Sequence, residues 1–306
     1  MKKILVATEK PFAPVAVEGI REIVQEAGYE LKLLEKYTDP QDLKAAIADA
    51  DAMIIRSDKA TADVLLAGKN LKVVVRAGAG YDNIDLAAAT EKGIVAMNTP
   101  GQNSNAVAEL VLGMMVFNTR NRFNGKAGTE LKGKTIGIHA FGNVGKIVAK
   151  IAQGFGMEVL AFDPFVSSED IKAAGVKPVE SVEELYSSCQ YISLHIPAND
   201  KTKNSIGKEL LNSMPAGATL VNTARKEVVQ EEELQELMDL RSDFNYLSDI
   251  APDCAAELQE KYPDRVFFTP KKMGAQTAEA NINAGKAAAI QIRDYFEKGD
   301  TTFKVN

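Results

Sequence analysis

Short apolar runs rich in β-branched residues alternate with helix-like stretches along the whole chain. The first third contains five such runs, at residues 4–8, 30–35, 52–57, 72–78 and 94–99. Stretches of helical period, for example 15–27 and 42–50, lie between them. Because continuous apolar strands separated by helices form parallel sheets covered on both faces, residues 1–99 are predicted to form one doubly wound α/β unit.

A second series of strand-like runs begins after Gly133. It comprises residues 135–140, 158–163, 191–196, 219–224, 246–250 and 266–270. Six strands with helical connections match the strand count of a dinucleotide-binding sheet. One long helix over 103–118 separates the two series, and a last helical stretch over 277–296 could return the chain to the first domain. The prediction is an α/β protein with two parallel-sheet domains.

Composition narrows the class of protein. A chain of 306 residues that is 45% hydrophobic can bury two cores, and its net charge of −6 offers no basic face for nucleic acid. Two cysteines, Cys189 and Cys254, cannot build a disulfide framework, which favours a reducing compartment. The opening residues resemble a strand more than a signal peptide. The longest apolar run, 107–117, is too short for a membrane span, so a cytoplasmic protein is expected.

A glycine turn between a strand and a helix points to a nucleotide. Residues 140–145 read A-F-G-N-V-G against the usual G-x-G-x-x-G, so Gly142 lets the backbone approach a pyrophosphate and Gly145 lets helix and strand pack closely. Ala140 replaces the first glycine, which costs little if the turn keeps a negative φ. Asp163 ends the next strand, where a carboxylate accepts hydrogen bonds from ribose hydroxyls and repels a 2′-phosphate. The sequence therefore predicts NAD in preference to NADP.

Hydride transfer from an alcohol to a nicotinamide also requires a base that takes the hydroxyl proton and a cation that holds the substrate carboxylate. Of the two histidines, His139 lies inside a strand and is expected to be packed there, whereas His195 ends a strand and is a candidate for the cofactor site. Arg225 directly follows a strand, and open α/β sheets bind their ligands at the carboxyl ends of the strands. Its guanidinium can donate two parallel hydrogen bonds to a carboxylate.

The last two strands of the second series also end in charged residues. Asp249 and Asp253 follow one of them, and Lys271 and Lys272 follow the other. A lysine acts as a base only where burial or cationic neighbours favour its neutral form. No metal site is predicted.

Several motifs together resemble the D-isomer-specific 2-hydroxyacid dehydrogenase family along nearly the whole chain. They are RAGAGYDNID (76–85), MNTPGQNSNAVAEL (97–110), the glycine turn, SLHIP (193–197), VNTAR (221–225) and TPKKMGAQT (269–277). Within that family the chain is most similar to the short phosphoglycerate dehydrogenases without a C-terminal regulatory domain. The resemblance implies a flavodoxin-like substrate domain at 1–99 plus 284–306, a Rossmann NAD-binding domain at 100–283, and a homodimer.

The resemblance also implies roles for individual residues. Arg225 would grip the carboxylate of a small anionic 2-hydroxy acid, with the amides around Ala77, Gly78 and Ala79, and Arg56 would contact a substrate phosphate. The positions that match cofactor contacts are Phe141, Gly142, Asn143, Val144, Gly145, Asp163, His195, Pro197, Thr223, Ala224, Asp249 and Gly274.

Two departures from the family pattern concern the acid–base group. The family usually reads T-P-H-x-G, but this chain reads TPKKMG, so Lys271 or Lys272 replaces the histidine, with Lys271 preferred. Cys254 stands where the orienting glutamate is expected, which leaves Asp253 as the first choice and Glu257 as the alternative.

The predicted reaction is NAD-dependent oxidation of D-3-phosphoglycerate to 3-phosphohydroxypyruvate, the first step of serine synthesis. The nearest alternative is the same chemistry on another acid, as in a glyoxylate or hydroxypyruvate reductase. A protein that binds NAD as a sensor without turnover is an alternative of a different class.

Overall fold

The computed structural model describes all 306 residues and divides them into two compact units. The first unit comprises Met1–Asn103 and Gln276–Asn306, and the second comprises Ser104–Ala275. The boundaries predicted at 99 and 283 thus differ from these by four residues (103 against 99) and eight residues (283 against 275).

The first unit contains a five-stranded sheet in the order β2-β1-β3-β4-β5, with every pair parallel. Its strands are β1 (Lys3–Thr8), β2 (Glu30–Glu35), β3 (Ala52–Ile55), β4 (Val73–Arg76) and β5 (Val95–Asn98). Its helices are α1 (Pro14–Glu26), α2 (Pro40–Ile47), α3 (Ala62–Ala67), α4 (Leu86–Glu91) and, from the end of the chain, α12 (Ala278–Lys298).

The two faces of this sheet are buried by different helices. Ile4, Val6 and Ile54 pack in one core cluster with residues of α1 and α12, whereas Leu5 and Ile55 pack in another with residues of α2, α3 and α4. Burial on both faces explains why these strands are continuously apolar. It also explains why the last helix belongs to the first unit, since α12 supplies one face of its core.

The second unit contains a seven-stranded parallel sheet in the order β12-β11-β10-β9-β6-β7-β8. Its strands are β6 (Thr135–His139), β7 (Glu158–Phe162), β8 (Lys177–Pro178), β9 (Tyr191–Leu194), β10 (Thr219–Asn222), β11 (Asn245–Ser248) and β12 (Val266–Phe268). Its helices are α5 (Ser104–Thr119), α6 (Asn143–Gly154), α7 (Ser168–Ala173), α8 (Val182–Ser188), α9 (Lys208–Asn212), α10 (Glu231–Leu240) and α11 (Ala255–Lys261).

Both predicted sheets are confirmed, and the differences are local. The edge strand β8 was not predicted, because two residues carry no periodicity and Pro178 is tolerated only at such an edge. The chain reverses its direction across each sheet between two neighbouring strands, β1 and β3 in the first unit and β6 and β9 in the second. Ligands of open α/β sheets bind beyond the carboxyl ends of the strands at this point.

No helix of the structure combines the length and the apolar character that crossing a membrane requires.

Candidate functional site: the glycine turn and the strand ends

The glycine turn opens α6 in the way that a phosphate site requires. Gly142 is the N-cap of α6, no side chain caps the helix, and a Cβ added to Gly142 would meet nothing within 4 Å. The first amides of the helix are therefore open to an anion at the positive end of the helix dipole. A Cβ on Gly145 would lie 2.3 Å from the carbonyl oxygen of Ala140, so only glycine allows the strand and helix to pack this closely.

Ala140 occupies a backbone conformation that favours glycine. A small cost is expected for this alanine on condition that φ stays negative, but φ is +82°. That condition is wrong, because Ala140 lies in the left-handed region directly after the last residue of β6, three residues before α6 begins at Asn143. Positive φ brings the alanine Cβ too close to its own carbonyl and costs about 1–2 kcal/mol. Ala140 therefore stores strain at the first position of the glycine motif.

Replacing Ala140 with glycine is expected to stabilise the protein by about 1 kcal/mol, because relief of strain exceeds the entropy that glycine adds to the unfolded chain. Urea unfolding of the Ala140→Gly variant measures this change. Ala256→Gly, at an exposed position in the first turn of α11, is the control and should lower the stability of the protein by up to about 1 kcal/mol. Loss of stability in both variants would contradict the strain at Ala140.

Asp163 holds the glycine turn from the neighbouring strand. Its Oδ2 accepts a hydrogen bond from the Phe141 amide at 2.7 Å, and its Oδ1 accepts one from the Phe165 amide at 2.8 Å. A carboxylate has about four acceptor positions, so these bonds leave capacity for ribose hydroxyls. The structure thus adds a function that the sequence did not show: the predicted ribose ligand also fixes the turn that would hold the pyrophosphate.

The two histidines lie side by side at the carboxyl ends of β6 and β9. The His195 amide donates to the His139 carbonyl at 2.9 Å, His195 Nε2 lies 2.9 Å from Ser193 Oγ, and His139 Nδ1 lies 3.2 Å from the hydroxyl of the fully buried Tyr186. Burial lowers the pKa of His139 to about 4 and the pKa of His195 to about 3. Both rings are neutral near pH 7, and neither has the pKa of an effective base there.

The depressed histidine pKa values predict how stability depends on pH. Because both folded-state pKa values lie below the unfolded value of 6.5, the unfolded chain binds more protons, and stability falls as the pH drops below 6.5. Each histidine should contribute a loss of about 2 kcal/mol between pH 7 and pH 5.

Urea unfolding at pH 7, 6 and 5 measures this loss. His195→Gln should reduce it by about 2 kcal/mol. The salt-bridged carboxylates of Asp49 and Asp63, with pKa values of about 2, titrate only below their unfolded value of 3.8 and leave this window undisturbed. An equal pH dependence in the variant would contradict the burial of His195 as a neutral ring.

A cavity of about 720 Å³ lies beside His139 within the second unit. Its lining includes His139, Ile196, Thr202 and Leu210. The predicted contact Pro197 is exposed at the start of the same loop, and its carbonyl accepts a hydrogen bond from the Thr202 hydroxyl. Sequence reasoning missed Thr202, which lies in a surface loop, and Leu210, which lies on α9, because neither belongs to a recognisable motif.

The turn after β10 contains Arg225 and a buried hydroxyl without a partner. Thr223 Oγ1 is buried and makes no hydrogen bond, which leaves it able to pair with a ligand. The backbone of the turn is held by Asn222, whose Nδ2 donates to the Arg225 carbonyl at 2.9 Å and whose Oδ1 accepts from the Ala224 amide at 2.9 Å. Arg225 is half-buried, and its Nη1 donates to the Ala224 carbonyl.

The predicted orienting carboxylates follow β11, and both are exposed. The Asp253 side chain is 81% exposed and pairs with Lys226 Nζ, which raises the pKa of Lys226. Glu257 is exposed on α11, and Cys254 is a neutral thiol, because burial raises its pKa to about 11. The loop is fixed by Glu231, which sequence reasoning missed and which accepts the Asp253 and Cys254 amides at 3.0 Å.

The two candidate lysines lie in the loop after β12. Lys271 and Lys272 are both exposed, and the loop is attached to the buried carboxylate of Asp249. Asp249 Oδ1 accepts the Met273 amide at 2.6 Å, and its Oδ2 accepts the Gly274 amide at 2.8 Å. The structure thus places Asp249 and Gly274, both predicted cofactor contacts, in direct contact with each other.

Arg56, the predicted phosphate ligand, is engaged inside the first unit. Its Nη1 donates to the carbonyls of Lys10 and Pro11, both at 3.1 Å, its Nη2 donates to Asn281 Oδ1, and its guanidinium lies 5.0 Å from the centre of the Phe12 ring. These bonds link the segment before α1 to the first turn of α12. A substrate phosphate would have to accept hydrogen bonds from the Arg56 N–H groups that these contacts do not use.

The loop predicted to hold the substrate carboxylate has its first two amides in use. The Ala77 amide donates to the Ile55 carbonyl at 2.8 Å, and the Gly78 amide donates to the Arg76 carbonyl at 2.9 Å. Gly78 has a φ of +150°, and a Cβ there would collide with the Arg76 guanidinium. The Ala79 amide makes no such bond, so it is the member of the predicted set that a carboxylate could reach without breaking an existing hydrogen bond.

The second unit therefore has the parts of a site for NAD. An uncapped helix start, an approachable Gly142, the Asp163 carboxylate and the orphaned Thr223 hydroxyl fit the pyrophosphate, the ribose and further polar groups of such a cofactor. Fold and site together define a NAD-binding oxidoreductase with a parallel-sheet nucleotide domain.

Comparison with known proteins identifies the family. Residues 104–269, more than half of the chain, match the NAD binding domain of D-isomer specific 2-hydroxyacid dehydrogenases. The chain belongs to this family and is one of its NAD-dependent dehydrogenases. It is 49% identical to the NAD+-bound 3-phosphoglycerate dehydrogenase of Entamoeba histolytica, with a TM-score of 0.88, covering 100% of this chain and 98% of that one.

Two curated relatives are of different kinds. The hydroxypyruvate reductase of Thermotoga maritima is 38% identical over 84% of this chain and 88% of its own length. The D-3-phosphoglycerate dehydrogenase of Methanocaldococcus jannaschii is 36% identical over 96% of this chain, which spans only 57% of that relative.

Proposed function

We propose that this chain oxidises D-3-phosphoglycerate to 3-phosphohydroxypyruvate, the first step of serine synthesis, as a cytoplasmic homodimer. The observation that carries the proposal is the similarity over the full chain, at 49% identity, to a 3-phosphoglycerate dehydrogenase. Gly142, Asp163 and Thr223 would hold NAD+, which would supply the acceptor for the hydride of C2. The products are the 2-oxo acid, NADH and the proton that the base removes from the hydroxyl group.

The residues of this chain supply binding and proton transfer. Arg225 pairs with the substrate carboxylate and polarises the 2-oxygen, and Lys271 takes the hydroxyl proton. Asp253 is the proposed orienting carboxylate, although its partner in this structure is Lys226. Arg56 is the proposed cationic contact of the phosphate.

Reduction of hydroxypyruvate without a phosphate is the second candidate. The Thermotoga maritima relative supports it, and so do the three hydrogen bonds that occupy the Arg56 guanidinium. The assay that separates the candidates follows NADH absorbance with phosphohydroxypyruvate, hydroxypyruvate, glyoxylate and pyruvate. A strong preference for the phosphorylated acid supports the proposal, and equal or better rates on the other acids would favour the second candidate. No oxidation of NADH with any of the four would favour a NAD-binding protein without turnover.

If Arg56 binds the phosphate, Arg56→Ala should lower kcat/KM for phosphohydroxypyruvate by about 10–100-fold, because a hydrogen bond to a charged group contributes about 1.5–3 kcal/mol. The rate on hydroxypyruvate should change little. Asn281→Ala is the matched control, since it removes one structural bond of Arg56 and leaves the charge in place. If Asn281→Ala loses the preference for phosphohydroxypyruvate to the same extent, Arg56 contributes through its structural bonds to the segment before α1 and not through a bond to the phosphate.

A further inference from the structure

The carbonyl groups of two successive residues, Gly78 and Ala79, both accept hydrogen bonds from the end of β5. The Thr99 amide donates to the Gly78 carbonyl at 2.9 Å, and Asn98 Nδ2 donates to the Ala79 carbonyl at 2.6 Å. Asn98 is buried, it is the last residue of β5, and its backbone is paired with Arg76 in the parallel ladder. The loop after β4 is therefore held from the end of the neighbouring strand.

These two hydrogen bonds also determine where the next two amides point. In a trans peptide group, the C=O and the N–H of the following residue point in opposite directions. Because the bonds to Gly78 and Ala79 draw both carbonyls towards residues 98 and 99, the Ala79 and Gly80 amides point away from those residues. Neither amide makes a hydrogen bond within the protein, and both residues are partly exposed. Successive free amides of this kind form a backbone site for an anion.

A positive charge lies against the same loop. A Cβ on Gly78 would lie 1.5 Å from Arg76 Nη1, so the guanidinium packs directly on the glycine backbone. Arg76 Nε donates to the Arg56 carbonyl at 3.1 Å, which helps to fix the guanidinium in this place. An anion at the Ala79 and Gly80 amides would therefore meet a favourable electrostatic potential.

From these contacts we propose that Asn98 is a positioning residue for the substrate carboxylate. Its hydrogen bond to the Ala79 carbonyl turns the Gly80 amide to the same side as the Ala79 amide, so that one carboxylate can accept from both. Asn98 acts through the backbone of the loop. The inference rests on the proposed function in one respect, namely that the carboxylate of the substrate lies on the Ala79 amide. It does not depend on recognition of a phosphate, because every candidate substrate carries a carboxylate.

Kinetics of Asn98 variants separates positioning from a general effect on folding. Asn98→Ala should raise KM for hydroxypyruvate and phosphohydroxypyruvate by about 10-fold and change kcat by less than about threefold, because a carboxylate contact stabilises the ground state and the transition state alike. Asn98→Asp has the same shape but cannot donate to the Ala79 carbonyl, so it should lose at least as much. Partial unfolding would instead lower the apparent kcat and leave KM unchanged. The dissociation constant of NADH should stay within about twofold of the parent value.

Hydrogen–deuterium exchange with mass spectrometry reports on the amides without turnover. The probe is oxamate, an isostere of pyruvate that NADH cannot reduce. Oxamate added to the NADH complex of the parent should slow the exchange of two amides in a peptide that covers residues 77–83, and in Asn98→Ala it should slow only one. Asn245→Ala is the matched control and should match the parent, because Asn245 Nδ2 also donates to a backbone carbonyl, that of Asp243 at 3.3 Å, but lies at the amino end of β11.

An unchanged KM with an unchanged exchange pattern in Asn98→Ala would overturn the positioning role. A KM that rises only together with the NADH dissociation constant would also overturn it, since the effect would then extend to the cofactor. If oxamate protects no amide of residues 77–83 in the parent, the carboxylate lies elsewhere, and the inference fails with its premise. If the parent shows no preference for the phosphorylated acid, the proposed substrate is wrong, and the results with hydroxypyruvate and oxamate still decide the role of Asn98.

Discussion

Replacing Lys271 with methionine is expected to lower kcat by about 10²–10⁴-fold, the usual contribution of a general base, and to leave NADH binding unchanged. Methionine keeps much of the length of the lysine side chain but cannot accept a proton. The measurement is kcat for D-3-phosphoglycerate oxidation, with the NADH dissociation constant from fluorescence. The neighbouring variant Lys272→Met is the matched control, because it removes an exposed lysine from the same loop.

The pH profile gives this prediction a second readout. A lysine must be neutral to accept the hydroxyl proton, so the rate of oxidation should rise with pH until the amine is deprotonated. Loss of activity in Lys272→Met alone would move the assignment by one residue. Full activity in both single variants would exclude a lysine of this loop as the base.

A lysine base also explains why the position of the family's glutamate can hold a cysteine. A histidine base needs a carboxylate that fixes its tautomer and stabilises its cationic form, whereas a lysine has no tautomers. The neutral Cys254 thiol at that position is compatible with a lysine base.

Much of the fold could be predicted from the sequence, because buried parallel strands are continuous apolar runs. Nine of the eleven predicted strands run past the observed ends on the carboxyl side, as in 72–78 against β4 (Val73–Arg76). Residues there remain partly buried while the backbone already turns, so hydrophobicity alone cannot mark the end of the strand. The positive φ of Ala140 was missed for a related reason, since an alanine carries no sign of the conformation that the turn imposes on it.

The candidate site could be predicted only in part. Residue types at strand ends indicated Arg225, Asp163 and the loop with Lys271 and Lys272, because those positions follow from topology. The hydrogen-bond partners of a side chain do not follow from topology. The structure shows that Arg56 donates hydrogen bonds to Lys10, Pro11 and Asn281. Such contacts join segments that are up to 225 residues apart, which no local pattern records.

Arg225→Gln should lower kcat/KM by about 10²–10³-fold, through a higher KM for the 2-oxo acid and, because Arg225 also polarises the 2-oxygen, through a lower kcat. Losing one partner of a desolvated charge pair costs about 2–5 kcal/mol, and each 1.4 kcal/mol is a factor of ten. NADH affinity should be retained, because Asn222 fixes the turn through the backbone of residues 224 and 225 and that backbone is unchanged.

Two variants make this result specific to the guanidinium fork. Arg225→Lys keeps the charge but not the planar pair of donors, so it should recover only part of the loss. Lys226→Gln removes a positive charge from the same turn, where the side chain pairs with Asp253, and should lose far less than Arg225→Gln. If Arg225→Gln and Lys226→Gln were equally impaired, the turn would contribute only its net positive charge. If kcat/KM falls strongly only in Arg225→Gln, and Arg225→Lys recovers part of it, the guanidinium holds the substrate carboxylate by two parallel hydrogen bonds.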